Sequence, residues 1–209
     1  MNFVRSQPPA IKFLLLPVVA AALVWSAIAP HDYATWFFEL FIGLIGVAVL
    51  VATARWFRFS TLVYAVVAAH FVILAVGAKY TYAEVPAGFW VRDALGLTRN
   101  PYDRLGHFAQ GFVPAILARE ILLRTSPLRP GKWLFFLVIS VCLAFSAFYE
   151  LIEWITAVTK GEAAEAFLGT QGDVWDTQKD MACALVGAIL AQLTLSRIHD
   201  GQLEVFRRV

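Results

Sequence analysis

Glu150 and Glu153 lie three residues apart in an otherwise apolar run, Phe148-Tyr149-Glu150-Leu151-Ile152-Glu153-Trp154. A carboxylate at the centre of a bilayer costs about 2.5–3.5 kcal/mol on insertion scales, and pairing or function must offset that cost. Two further sets have helical spacing: Asp103 with His107, four apart, and Asp173, Asp176 and Asp180, which step by three and four. Each set shares one helix face if its segment is helical. Acids at this density repel one another and cannot all ionise without compensation. A metal ion, an arginine, or retained protons doing acid–base work would each supply it. Oxygen-rich ligands with one or two imidazoles suit Zn²⁺, Mg²⁺ or Mn²⁺, and the residues do not choose among the three.

The expected metal ligands are therefore Asp103, His107, Glu150, Asp176 and Asp180, with His70 added from the middle of its own apolar segment. The expected acid–base residues are Glu150, Glu153 and His107, with Arg104 placed to hold a phosphate or carboxylate. Glu39 could line the same cavity. No H-E-x-x-H, Walker loop or G-x-S-x-G pattern occurs. Plainer readings stand beside these. Asn100-Pro101-Tyr102-Asp103 reads as a helix start, with Asn100 capping and Asp103 favouring the dipole. Thr170 to Asp173 could cap another helix. Glu150 and Glu153 could pair with Arg104 and serve only to hold helices together. Arg119-Glu120 reads as a solvated or snorkelling pair. His31 and His199 read as loop or tail residues.

The elements that carry these residues follow from composition. Of 209 residues 60% are hydrophobic and 15% charged, with mean hydropathy +0.69. A soluble chain is about 45–50% apolar and about 25% charged, so the solvent implied here is lipid. Six stretches approach the roughly 20 apolar residues needed to cross a hydrocarbon core. They lie at about 11–29, 36–54, 59–78, 106–124, 133–156 and 179–197. Backbone polar groups in lipid must bond within their own segment, which makes these helices, and the period-two alternation of a barrel is absent. The expected fold is all-α: one polytopic transmembrane bundle over residues 1–209. The first segment has an apolar run too long for a secretory leader and is expected to be retained. Cys142 and Cys183 form no C-x-x-C and read as small core residues. The net charge of +2 gives no reason to expect nucleic acid.

Charge then orients the bundle. With both termini cytoplasmic, eleven of the 17 Lys and Arg residues fall inside and six outside, the loop 125–132 being the clearest cytoplasmic marker. On this topology twelve of the 15 acids lie in the outer half, including Glu162 and Glu165, and only Glu120, Asp200 and Glu204 lie inside. The three spaced sets would then end at one membrane surface, where neighbouring helices could bring them into one pocket. The outer connections 79–105 and 157–178 carry aromatics beside charges, which suits the headgroup level.

The same residues carry a family likeness. Tyr80-Thr81-Tyr82-Ala83-Glu84-Val85-Pro86 and Tyr102-Asp103-Arg104-Leu105-Gly106-His107-Phe108-Ala109-Gln110-Gly111-Phe112 resemble the YjdF-type bacterial inner-membrane proteins. So do Phe148 to Trp154 and Gly169 to Met181, in order along nearly the whole chain. The resemblance implies a multi-pass protein of the bacterial inner membrane, from a family without an established biochemical function. The second half is also similar to VanZ-type membrane proteins, associated with glycopeptide-antibiotic resistance. Asp103/His107, Glu150 or Glu153, and Asp180 with Gly187-Ala188 match that pattern, which implies an envelope or lipid-linked role.

The resulting expectation is an outer-face intramembrane enzyme performing metal-assisted or carboxylate/His acid–base hydrolysis or transfer on a lipid or lipid-linked substrate. Two other classes compete: a transporter or proton/cation-coupling protein, and an assembly factor whose polar cluster locks the helices.

Overall fold

The computed structural model describes residues 14–160 and 170–207. Glu162, Glu165 and the start of the first expected span lie outside them. Seven α-helices are present among the described residues: α1 (Leu16–Ala27), α2 (Tyr33–Thr53), α3 (Thr61–Tyr80), α4 (Pro86–Leu95), α5 (Tyr102–Thr125), α6 (Lys132–Lys160) and α7 (Asp176–Arg207). No strand occurs among them. The protein is an all-α membrane protein. Helices α2, α3, α6 and α7 are each long and apolar enough to cross a bilayer, and α1 is a shorter apolar helix.

Local chemistry sets the helix ends. Asp32 accepts from the backbone N–H of Thr35 at 2.6 Å and caps α2. The Ser60 side chain likewise caps α3. Pro86 occupies the first turn of α4, and Gly96 ends it in the left-handed region at φ 64°. α4 lies within the connection expected at headgroup level, and it exposes Trp90, Val91 and Leu95. α6 and α7 both overrun their expected spans, α7 by ten residues at its C-terminal end.

α5 is the centre of the bundle. It packs against α7, α6 and α3, while α1 and α2 pack on α3. Its charged residues stay within the protein, Asp103, Arg119 and Glu120 all being buried. α5 and α7 run parallel, because residues 76 to 80 apart in sequence meet at both ends of the pair. Their midpoints touch through glycine. A Cβ on Gly111 would land on the Ala184 carbonyl oxygen, and one on Gly187 on the Phe108 carbonyl oxygen. This close crossing fixes the register at which the ends of the two helices meet.

Candidate functional site

The site forms where α5 and α7 begin. Gln171, before α7, donates through its amide nitrogen to the Asn100 carbonyl at 3.0 Å and accepts from the Asn100 N–H at 3.0 Å. The buried Asn100 side chain in turn accepts from Tyr102 N–H and donates to the Val85 carbonyl, each at 3.0 Å. The two helix starts are thus tied together by backbone and amide hydrogen bonds before any charge is counted. The cap position of α5 falls on Pro101 rather than on Asn100 as read from sequence, and Asn100 reaches Tyr102 N–H from one residue earlier.

On that frame Arg99 and Arg104 gather four aspartates. Arg99 contacts Asp176 at 2.5 Å and Asp103 at 3.2 Å. Arg104 contacts Asp176 at 2.6 Å and Asp173 at 3.2 Å, and also pairs with Asp180. Lys179 adds a bond to Asp173 at 2.6 Å. The Lys179 ammonium, followed by the Trp175 backbone N–H, holds the Asp173 carboxyl below its usual range.

These contacts bear on two expectations. Arg104 pairs with aspartates and not with Glu150 or Glu153. Asp176 offers its Oδ1 to two guanidinium groups and stands outside the cluster able to hold a metal.

His107 lies one turn further into the bundle. Its Nε2 is 3.5 Å from Asp103 Oδ1 and 3.8 Å from Asp180 Oδ1, and its Nδ1 is 3.6 Å from Glu150 Oε1. Glu150 and His107 are both buried, and neither Glu150 Oε1 nor His107 Nδ1 has a hydrogen-bond partner. Tyr149 stands edge-on to the imidazole at 6.0 Å. Ligand atoms of Asp103, His107 and Asp180 all lie within 4.8 Å of one another. Two ligands about 2.1 Å from a tetrahedral ion are about 3.4 Å apart, close to the spacing found here. The same separations would admit a bridging water.

Beside the cluster opens a cavity of about 660 Å³ between α2 and α3 on one side and α5 and α6 on the other. Glu39, Tyr82, Asp103, His107, Tyr149 and Glu153 line one end of it, and nearly everything beyond is apolar. Glu153 joins the site through this wall and forms no ion pair among the described residues. Glu39 is buried, with Oε1 unpartnered. His70 lines the cavity in mid-bundle with Nε2 unpartnered, apart from the metal-capable group in which sequence placed it. Tyr82, Tyr149 and Arg99 are additions that sequence reasoning missed. Arg99, four residues before Asp103, carried a usable signal in its spacing.

A second polar cluster lies at the far end of the α5–α7 pair. Arg119, Glu120 and His199 are buried there, contrary to the solvated and tail positions expected. Arg119 bonds His199 Nδ1 at 3.1 Å, and His199 Nε2 bonds Glu120 at 3.0 Å. Arginine only donates, so Nδ1 accepts and Nε2–H donates. Glu120 also accepts from Ser60 N–H at 3.0 Å and from Arg124 at 2.7 Å, and Arg119 pairs with Asp200 at 2.8 Å. Every charge here has a partner, and the network joins α3, α5 and α7.

Residues 11–201 match the family model described as a predicted membrane protein, DUF2238. The chain is also 52% identical over 202 residues to the inner membrane protein YjdF of Escherichia coli strain K12, covering 97% of each chain. No solved structure matches. With its apolar helices, this places the chain in the inner membrane as a multi-pass protein, and it belongs to the DUF2238 family of membrane proteins.

Proposed function

We propose that the protein is an intramembrane enzyme acting on a lipid or lipid-linked substrate by hydrolysis or group transfer, with its site at the outer face of the membrane. One observation carries this reading: two buried atoms without a hydrogen-bond partner, His107 Nδ1 and Glu150 Oε1, 3.6 Å apart, stand beside the polar end of a long apolar cavity. Glu39, Asp103, Glu150, Glu153, Asp173, Asp176 and Asp180 make seven acids, against Arg99, Arg104 and Lys179. Fully ionised, the site would keep four negative charges, a surplus a buried cluster must shed. A divalent cation held by Asp103, His107 Nε2 and Asp180 would offset half of it. Glu150 and Glu153 then serve as general base and acid toward a water or acceptor. Arg99 and Arg104 act as positioning residues, fixing Asp103 and Asp180. Transport is disfavoured because the cavity beyond His70 and Gln110 has almost no polar lining for an ion to follow.

Metal analysis of the purified protein, repeated on Glu150→Gln and Glu153→Gln, tests the proposal. The parent should carry about one divalent ion per chain. Both variants should insert and fold, Glu150→Gln should hold the ion more weakly, and hydrolysis of membrane lipids should fall in both. A metal-free parent whose Gln variants unfold easily would make the cluster a helix lock and end the enzymatic reading.

A further inference from the structure

The cavity reaches much deeper than acid–base chemistry requires. It continues from Glu39 along α2 to Thr53, and along α5 to Thr125, near the opposite ends of both helices. The fourteen-residue step from Glu39 to Thr53 spans about 21 Å at about 1.5 Å per residue. A zigzag hydrocarbon with bonds of about 1.5 Å at about 111° advances about 1.25 Å per carbon, so about 17 carbons match that length.

Lipid has a way in. α2 packs on α3, and α6 packs on α5 and α7, so α2 and α6 face one another across the cavity without a packed seam between them. Water is disfavoured where the lining is apolar. At the polar end, Glu39 and Glu153 pair with no cation among the described residues, which leaves acceptors for an ammonium group and offers a bare phosphate no cation. Gly46 lies seven residues below Glu39, about 10 Å deeper. It lines the cavity, and a Cβ there meets nothing within 4 Å. Gly43 is different: a Cβ there would come within 2.8 Å of Leu74.

We infer that the cavity holds a hydrocarbon chain of a membrane lipid with an amine-bearing headgroup, and that Gly46 sets the length of chain admitted. This rests on the polar cluster being the reacting end, but chain binding needs no turnover and is measured separately. Native mass spectrometry of the full chain would follow single-chain phosphoethanolamine lipids of 8 and 16 carbons, with 16-carbon alkyl phosphate for comparison. The 16-carbon amine lipid should bind about tenfold more tightly than the alkyl phosphate. Gly46→Leu, growing into the open space, should weaken the 16-carbon lipid about tenfold and leave the 8-carbon lipid within about twofold. Gly46→Ala should shift binding in the same direction by less, and it carries the test if the leucine variant folds poorly. Equal effects on both lengths, no effect on either, or preference for the alkyl phosphate would overturn the inference. Chain binding without metal or turnover would keep the chain site and remove the enzyme. Metal binding that depends on Glu150, without chain binding, would do the reverse.

Discussion

Glu120 and Glu153 show how differently the same side chain can be used in one bundle. Glu120 is fully buried, and three groups bond its two oxygens: Ser60 N–H, Arg124 and His199, the last with Arg119 behind it. Glu153 lines the cavity with no ion pair among the described residues. Glu120→Gln therefore takes the anion from the partly buried Arg124 and should cost about 2–3 kcal/mol, read as a lower unfolding temperature in detergent. Glu153→Gln keeps the shape of a side chain that holds no ion pair and should change stability by less than about 1 kcal/mol. Equal losses in the two variants would mean that Glu153 has a structural partner after all. Asp173 makes a pH-dependent contribution. Its carboxyl is held below the ordinary value by Lys179, so the pair's stabilisation is fully present above about pH 4, the unfolded carboxyl's value. It is lost as pH falls through the lower folded value. Lys179→Gln should return the Asp173 pKa toward the ordinary value in an NMR titration of the carboxyl carbon. The buried placement of Glu150 and Asp103 beside His107 could be suspected from spacing and apolar surroundings. That of Glu120 and His199 could not, since adjacent charges near a loop and a histidine near the end of the chain look alike whether solvated or buried.

At the scale of elements, the parallel α5–α7 pair does most to place the chemistry. Polar networks clamp both ends, and between them Gly111 and Gly187 let the backbones meet. Gly111→Val would push a branched side chain into the Ala184 carbonyl. It should destabilise the protein by about 1–3 kcal/mol and loosen the spacing of Asp103 and His107 from Asp180, read as weaker metal retention in the metal analysis. Intact retention in a destabilised variant would show that the Gln171–Asn100 tie alone sets the register. Segment positions were legible because apolar runs of this length in lipid have one regular solution, a helix. The ends were less so: α7 continues for ten residues past its apolar run, where Asp200 and Gln202 find partners on Arg119 and Leu62. The central place of α5 was hidden as well. Its acids and arginines lower its hydropathy, yet they are the reason it is wrapped by other helices rather than by lipid.

For the whole molecule, composition alone was enough to name a helical membrane protein, because no soluble core accommodates so much apolar surface. Which neighbours pack together was not legible, since apolar faces against lipid and against helices read alike in the absence of a water-facing side. Orientation rests on charge. The acidic site and the connection holding α4 lie at the end where α5 and α7 start, whereas the basic loop 125–132 lies at the end where α5 stops. Basic loops are retained on the cytoplasmic side, so the site should face outward and both termini inward. Single cysteines at Thr98 and Ser126, placed in a background lacking Cys142 and Cys183, check this directly. A membrane-impermeant maleimide added to intact spheroplasts should label position 98, exposed just before α5, and should reach position 126 only after lysis. Labelling of 126 in intact cells with 98 silent would invert the molecule. The acidic cluster would then face the cytoplasm, and a substrate entering beside it would come from the inner leaflet.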